Sequence, residues 1–179
     1  MMWLRRHLRL GFLLLVALPV LAACGQPALN PSAQAPAPIA DGPRAQPFSV
    51  ATLEGDTFTL AERPGHPVVL FFAASWCGSC YAEAQGLAQL ERIYGARGIR
   101  FLVLDVDPTS TMEDLRSFKD IAGLTRSWAL DKGNVVTRAY QVRALDTTVV
   151  IDAEGRIVYR DEVPTPPATL QGILDRLLQ

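Results

Sequence analysis

The sequence predicts one mixed α/β domain in which helices cover both faces of a central sheet. The uninterrupted apolar run 68–73 is typical of a strand buried on both faces. A helical pattern over 78–96 and a second apolar run over 99–106 follow, and this strand–helix–strand order predicts a right-handed parallel unit. A hairpin and an amphipathic helix close the chain, and the hairpin adds antiparallel pairing to the sheet.

Length and composition exclude several classes of protein. The 179 residues suffice for one domain and an appendage, and 49% of them are apolar. The formal charge is −1, and no basic block occurs after the first nine residues, so nucleic acid is not an expected partner. The cysteines are Cys24, Cys77 and Cys80, and an odd count with one close pair does not indicate a disulfide scaffold.

The first 23 residues have the parts of an export signal. Arg5, Arg6 and Arg9 precede an uncharged stretch whose apolar core is shorter than the roughly 20 residues of a spanning helix. Its end, Leu-Ala-Ala-Cys24, resembles a bacterial lipobox, which predicts cleavage before Cys24 and lipidation of its thiol. The alternative is an uncleaved membrane anchor. Either way, we expect an extracytoplasmic domain tethered to a bacterial membrane.

An Ala/Pro-rich linker follows the signal. Residues 24–47 contain six prolines, and this composition predicts an extended spacer between the lipid and the domain at 48–179. Without residues 1–23 the chain keeps 14 basic and 18 acidic residues, a formal charge of −4. The basic character belongs to the signal.

The domain begins with a small hairpin, in which 54–56 joins strands at 48–53 and 57–60. In the helix at 78–96, four apolar residues recur at helical spacing and predict a buried stripe: Leu87, Leu90, Ile93 and Tyr94.

The sequence pattern of the second half of the domain predicts two helices, then a hairpin and then a last helix. The helices are expected at 109–122, with Met112, Leu115 and Phe118 on one side, and at 134–140. Strands at 147–151 and 156–159 flank a turn at 152–155. The last helix carries an apolar stripe of Leu170, Ile173, Leu174, Leu177 and Leu178.

The chemistry is concentrated where the first buried strand meets its helix. Cys77 and Cys80 are spaced i, i+3 on the first helical turn, which brings their sulfurs within reach of each other. The positive helix end favours the Cys77 thiolate, and pKa values of about 3.5–7.5 occur for such thiols. Cys77 is therefore the expected nucleophile and Cys80 the resolving thiol of a redox-active disulfide, with no cofactor.

Two other roles for the pair have weaker support. A structural zinc site needs four ligands, and apart from Cys24 only His7 and His66 are available, so no metal site is predicted. An inert bridge over so short a loop would constrain the unfolded chain little.

On these residues the sequence resembles the thioredoxin superfamily, and more narrowly its membrane-anchored extracytoplasmic thiol–disulfide oxidoreductases of the TlpA/ResA type. The resemblance covers 48–179. It rests on the segment Trp76-Cys77-Gly-Ser-Cys80 between a strand and a helix, with Thr-Thr-Val-Val-Ile-Asp at 147–152 and Gly155 downstream. It implies a thioredoxin-like fold and protein thiol or disulfide clients. It further implies reduction of cytochrome c apoprotein thiols or copper-site cysteines, a membrane electron donor of the thiol-reducing type, and a monomer.

The resemblance also implies roles for two residues beside the thiols. Glu83 matches the family's acidic residue three positions after the second cysteine, where it would take the proton of Cys80; the alternative is a first-turn glutamate favoured by the helix dipole. Trp76 matches the family tryptophan and would shape the docking surface; the alternative is a packed aromatic side chain.

Two positions depart from the family pattern. Gly78-Ser79 replaces the usual Pro-Pro or Glu-Pro, so the redox potential does not carry over. Asp146 replaces the family's cis-proline, so we expect a trans Leu145–Asp146 bond and a different docking edge. The Asp146 carboxylate would disfavour the Cys77 thiolate or ligate a metal; the alternative is a solvated loop aspartate.

The sequence thus predicts an exported, lipid-anchored thiol–disulfide oxidoreductase. The alternative is a thiol-based Cu(I) carrier without redox turnover, since two thiols suit this soft ion. Peroxide reduction is a weaker third possibility, because no residue marks a dedicated peroxidatic site.

Overall fold

A five-stranded mixed sheet forms the centre of the computed structural model, which describes residues 42–125 and 127–179. The strands are β1 (Phe48–Ala51), β2 (Thr57–Leu60), β3 (Val68–Ala73), β4 (Arg100–Asp105), β5 (Trp128–Leu130), β6 (Thr147–Ile151) and β7 (Ile157–Arg160). The helices are α1 (Gly78–Tyr94), α2 (Met112–Ala122), α3 (Val135–Ala139) and α4 (Pro167–Leu177). The sheet order is β5-β4-β3-β6-β7, and β1 and β2 form a separate antiparallel pair.

The central strand β3 sets the arrangement of the sheet. All six of its residues are buried, and it pairs parallel with β4 and antiparallel with β6. A strand covered on both faces gains from apolar side chains in both directions, which is why it shows no alternation of polar residues. The predicted parallel unit is confirmed, and so is the predicted antiparallel hairpin, since β6 pairs antiparallel with β7. The antiparallel pairing of β3 with β6 was not predicted.

The two faces of β3 belong to two hydrophobic clusters. Val69, Phe71 and Ala73 join one cluster with buried residues of α1, α2 and α4. Val68, Leu70 and Phe72 join the other, which includes residues of the β1–β2 hairpin and of α3. The predicted helices on both faces of the sheet are confirmed.

Helices α1 and α2 differ in detail from their predictions. Ile93 was expected in the buried stripe but is 52% exposed, whereas Leu87, Leu90 and Tyr94 are buried. Helix α2 starts at Met112 and not at 109, because Thr111 caps it: the Thr111 hydroxyl accepts the backbone N–H of Asp114.

Two other features were not predicted. Strand β5 pairs parallel with β4 at the edge of the sheet, and its three residues are too few to show a periodicity. The described end of the predicted linker, 42–47, contacts the domain: Ala45 N–H donates to the Gly155 carbonyl at 2.9 Å, and Ile157 N–H donates to the Pro43 carbonyl at 2.9 Å. This part of the chain is therefore not a free spacer.

The predicted signal peptide, the lipidation site Cys24 and the rest of the predicted linker lie outside the described residues. Among the helices of the described ranges, none is long and apolar enough to cross a membrane.

Candidate active site

The two site cysteines lie where β3 ends and α1 begins. Cys77 is the N-cap of α1, and its Sγ accepts the backbone N–H of Cys80 at 3.3 Å. The two residues form a disulfide with their Cα atoms 5.3 Å apart. Cys77 keeps 7% of its surface exposed and Cys80 none. Cys77 is therefore the more accessible of the two cysteines.

A buried aspartate holds the loop that leads to Cys77. Asp105 ends β4 and has no exposed surface; its Oδ2 accepts the backbone N–H of Ser75 at 3.0 Å, and its Oδ1 accepts that of Asp107 at 3.0 Å. Burial raises the pKa of this carboxyl group, while these hydrogen bonds lower it. The sequence analysis did not identify Asp105, although a charged residue at the end of an apolar strand is a signal for it.

Trp76 stands at the protein surface, 67% exposed. Its indole Nε1 donates a hydrogen bond to Oδ2 of Asp107, which fixes the ring beside a polar cleft of about 280 Å³. Ser75, Tyr81, Thr109 and Ser110 line the same cleft. Since the side chain is exposed, the alternative of a packed aromatic does not hold.

Glu83 is buried in the second turn of α1, so the interpretation as a first-turn glutamate is wrong. Its Oε1 accepts the hydroxyl of Thr148 at 2.6 Å, and its Oε2 accepts the backbone N–H of Thr165 at 3.1 Å. Burial raises the pKa of Glu83 to about 7, although both hydrogen bonds oppose the shift. The carboxyl group can therefore gain and lose a proton near neutral pH.

The neighbours of Glu83 extend this buried network. The backbone N–H of Thr148 donates to Oδ1 of Asp161 at 3.3 Å, and the hydroxyl of Thr165 donates to Oδ2 of the same carboxylate. The negative charge of Asp161 adds to the rise of the Glu83 pKa. None of these three partners was predicted, because they come from distant parts of the sequence.

Asp146 faces the thiols from the loop before β6. There is no cis peptide bond among the described residues, so the Leu145–Asp146 bond is trans as predicted, and Asp146 has a φ of +58°. Its Oδ2 accepts the Ser79 hydroxyl at 2.5 Å and lies 3.9 Å from Sγ of Cys77. The residue is 5% exposed, so it is not the solvated aspartate of the alternative interpretation. Leu145, partly buried, packs against the cluster that contains both cysteines.

Comparison with known proteins decides the family. Residues 42–160 match the model of the AhpC/TSA family. The chain belongs to this family. Among its relatives, the thiol-disulfide oxidoreductase ResA of Bacillus thuringiensis (strain Al Hakam) is 30% identical over 136 residues, which cover 76% of this chain and 78% of that protein.

Solved structures agree on the fold. A thiol:disulfide interchange protein of the thioredoxin family from Chlorobium tepidum superimposes with a TM-score of 0.69 at 23% identity, over 78% of this chain and 99% of that one. A secreted disulfide oxidoreductase of Mycobacterium tuberculosis, described as homologous to DsbE of E. coli, superimposes with a TM-score of 0.64 at 25% identity. The match covers 72% of this chain and 95% of that one. This AhpC/TSA protein has a thioredoxin-like fold and is a thiol–disulfide oxidoreductase.

Proposed function

We propose that this protein reduces disulfides of exported proteins outside the cytoplasm, with Cys77 and Cys80 as its reacting dithiol. Cytochrome c apoproteins and copper-site cysteines are the client classes that the family resemblance implies. The unequal exposure of the two cysteines is the observation that carries the proposal. A partly exposed cysteine beside a fully buried one separates a nucleophile from a resolving thiol.

The reaction starts at Cys77 in the reduced protein. Its thiolate attacks one sulfur of the client disulfide, a new S–S bond joins protein and client, and the other client sulfur leaves and takes up a proton. The positive end of α1 and the N–H of Cys80 stabilise negative charge on Sγ of Cys77. The first step therefore uses the sulfur that the client can reach.

Cys80 completes the exchange. Its thiol loses its proton, attacks Sγ of Cys77 and forms the intramolecular disulfide, while the second client sulfur leaves as a thiol. Glu83, three residues further along α1, accepts the proton of Cys80, since its carboxylate titrates at about pH 7. Two electrons have then passed to the client, and a thiol-reducing donor in the membrane restores the dithiol.

The client docks on the surface around Cys77. Trp76 offers an exposed aromatic face on one side, and the segment from Leu145 to Asp146 borders the other. The docking edge at Asp146 lacks the family's proline and instead carries a carboxylate. We expect clients to differ accordingly from those of relatives that have the proline.

Anchoring follows from the predicted lipidation of Cys24. A lipid on this residue would hold a monomeric domain near the membrane donor and near clients that emerge outside the cytoplasm. The secreted relative from M. tuberculosis supports an extracytoplasmic location.

The reduction potential tests the direction of the reaction. The protein is equilibrated with glutathione and dithiothreitol buffers, and the disulfide fraction is measured by alkylation and mass spectrometry. A potential below that of glutathione, together with catalysis of insulin-disulfide reduction, supports a reductant. A potential near that of the strong oxidant DsbA, about −120 mV, would contradict the proposal.

The Cu(I) carrier predicted as the alternative has less support from the site. Among the described residues, Asp146 lies beside the two sulfurs and adds a carboxylate, which is a hard ligand for this soft ion. Titration of the reduced protein with Cu(I), together with the insulin assay, separates the two functions.

A further inference from the structure

We propose that the reduced protein has a zinc site formed by the thiolates of Cys77 and Cys80 and the carboxylate of Asp146. The site goes beyond the redox function, because it needs the dithiol but transfers no electrons. Its fourth coordination position is open to water or to a client side chain, as in zinc sites with three protein ligands.

Geometry brings the three ligands together. Both sulfurs and a carboxylate oxygen of Asp146 lie within 4.8 Å of one another. In a tetrahedral zinc site with Zn–S of about 2.3 Å and Zn–O of about 2.1 Å, sulfur and oxygen are about 3.6 Å apart. Sγ of Cys77 and Oδ2 of Asp146 are 3.9 Å apart. Small movements on reduction therefore suffice to bind the ion.

The Asp146 carboxylate has a free oxygen for this purpose. Its Oδ2 accepts the Ser79 hydroxyl, but its Oδ1 is buried and has no hydrogen-bond partner. Buried acceptors are almost always paired, so an orphaned carboxylate oxygen beside two sulfurs calls for an explanation. A metal ion bound by this carboxylate in the reduced protein, with Oδ1 turned toward the sulfurs, supplies the missing partner.

The backbone holds the carboxylate in place. Asp146 has a φ of +58°, in the left-handed region that residues other than glycine rarely adopt. The next residue begins β6, which pairs with β3, and β3 leads to Cys77. The ligands therefore lie beside the ends of two paired strands: Asp146 directly precedes β6, and the two cysteines are at the start of α1, which follows β3.

Charge and ligand type select the ion. Two thiolates and one carboxylate would carry three negative charges in a site where each residue is at least 93% buried. A divalent cation offsets most of this charge and displaces the two thiol protons as it binds. Thiolates with a carboxylate suit zinc, whereas Cu(I) prefers sulfur alone. When the disulfide forms, both thiolates are lost, so zinc binding is confined to the reduced state.

The test uses the full chain in detergent, reduced with a phosphine and titrated with Zn²⁺ against a chromophoric chelator. We expect one Zn²⁺ per reduced chain and none per oxidised chain. Asp146→Asn keeps the size of the side chain and should weaken binding at least tenfold. Asp120→Asn, an exposed aspartate on α2, is the matched control and should bind as the wild type does. Equal affinity of Asp146→Asn and wild type would overturn the proposal.

Cobalt substitution gives a second measurement that needs no variant. The Co²⁺ complex of the wild type should show absorption for two thiolate ligands in a monomeric chain. If the Co²⁺ complex instead shows absorption typical of four thiolates, two chains share one ion, and the assignment of Asp146 as a ligand is overturned. A protein that reduces insulin but binds no Zn²⁺ refutes the zinc site alone, whereas one that binds Zn²⁺ without thiol exchange refutes the proposed function alone.

Discussion

The hydroxyl of Thr148 donates a 2.6 Å hydrogen bond to Oε1 of Glu83 and so joins β6 to α1 one turn beyond Cys80. The bond stabilises the charged form of Glu83, whereas burial in the same place favours the neutral form. Burial dominates, and the pKa of about 7 leaves both forms populated near neutral pH. A group balanced in this way can take a proton from a thiol and return it to the solvent.

Glu83→Gln should change how the stability of the oxidised protein depends on pH. The pKa of Glu83 rises from 4.5 to about 7 on folding, so the folded protein binds more protons between these values, and its free energy of unfolding falls as the pH rises through them. The wild type should lose about 3 kcal/mol relative to Glu83→Gln over this window. Urea denaturation at several pH values measures the difference, and parallel curves would show that Glu83 does not titrate there.

The two cysteines should behave differently when each is replaced. Cys80→Ser leaves Cys77 able to form a mixed disulfide that nothing resolves, so covalent adducts with clients should accumulate. Cys77→Ser leaves only the fully buried sulfur, so it should trap far fewer clients. Non-reducing gels and mass spectrometry count the adducts. Equal trapping by both variants would mean that the roles are not divided as we propose.

Asp146→Asn should make the protein a weaker reductant. Loss of a negative charge 3.9 Å from Sγ of Cys77 favours the thiolate and thereby the reduced form. The potential should rise by tens of millivolts, where 30 mV corresponds to about 1.4 kcal/mol. The potential is measured in a buffer that contains a metal chelator, so that no bound ion contributes, and Asp120→Asn is the control. An unchanged potential would exclude an electrostatic role for Asp146.

Asp105→Ala should destabilise the protein through the loop before Cys77. The change leaves the backbone N–H groups of Ser75 and Asp107 without their acceptor, at a cost of about 1–3 kcal/mol for each group that stays buried. Chemical denaturation measures the loss, with Asp120→Ala as the exposed control. A difference below about 0.5 kcal/mol, the range of ordinary surface substitutions, would show that Asp105 does not anchor the loop.

Cys24→Ala tests the lipid anchor. In a bacterial host the wild type should lose residues 1–23, carry lipid on Cys24 and fractionate with membranes. The variant should be released or remain an unprocessed precursor. Mass spectrometry of the mature N-terminus is the measurement, and an N-terminus elsewhere without lipid would contradict the prediction.

Sequence patterns predicted the central strands of the sheet and the edge strand β7, but not the edge strand β5. The bounds of β3 and β6 agree with their predictions. Strand β3 is an uninterrupted apolar run, and β6 is a run of β-branched residues that ends at a turn. Strand β5 was missed, because its position beside β4 depends on pairing with a distant segment and not on its own three residues. Ile93 was misplaced, because periodicity alone does not say how far the packed face of a helix extends.

The chemistry of the site could be predicted from residues 77–80 alone, because two cysteines at the junction of a strand and a helix are a local pattern. The resemblance to the TlpA/ResA type also predicted that Asp146 takes the place of a cis-proline. The surroundings of the sulfurs became known from the folded protein: the burial that raises the pKa of Glu83, the hydrogen bonds of Asp105 and the unpaired Oδ1 of Asp146. A local pattern does not predict these surroundings, because desolvation and hydrogen bonding depend on neighbours that lie 30 to 82 positions away in the chain. These neighbours meet only when the chain folds.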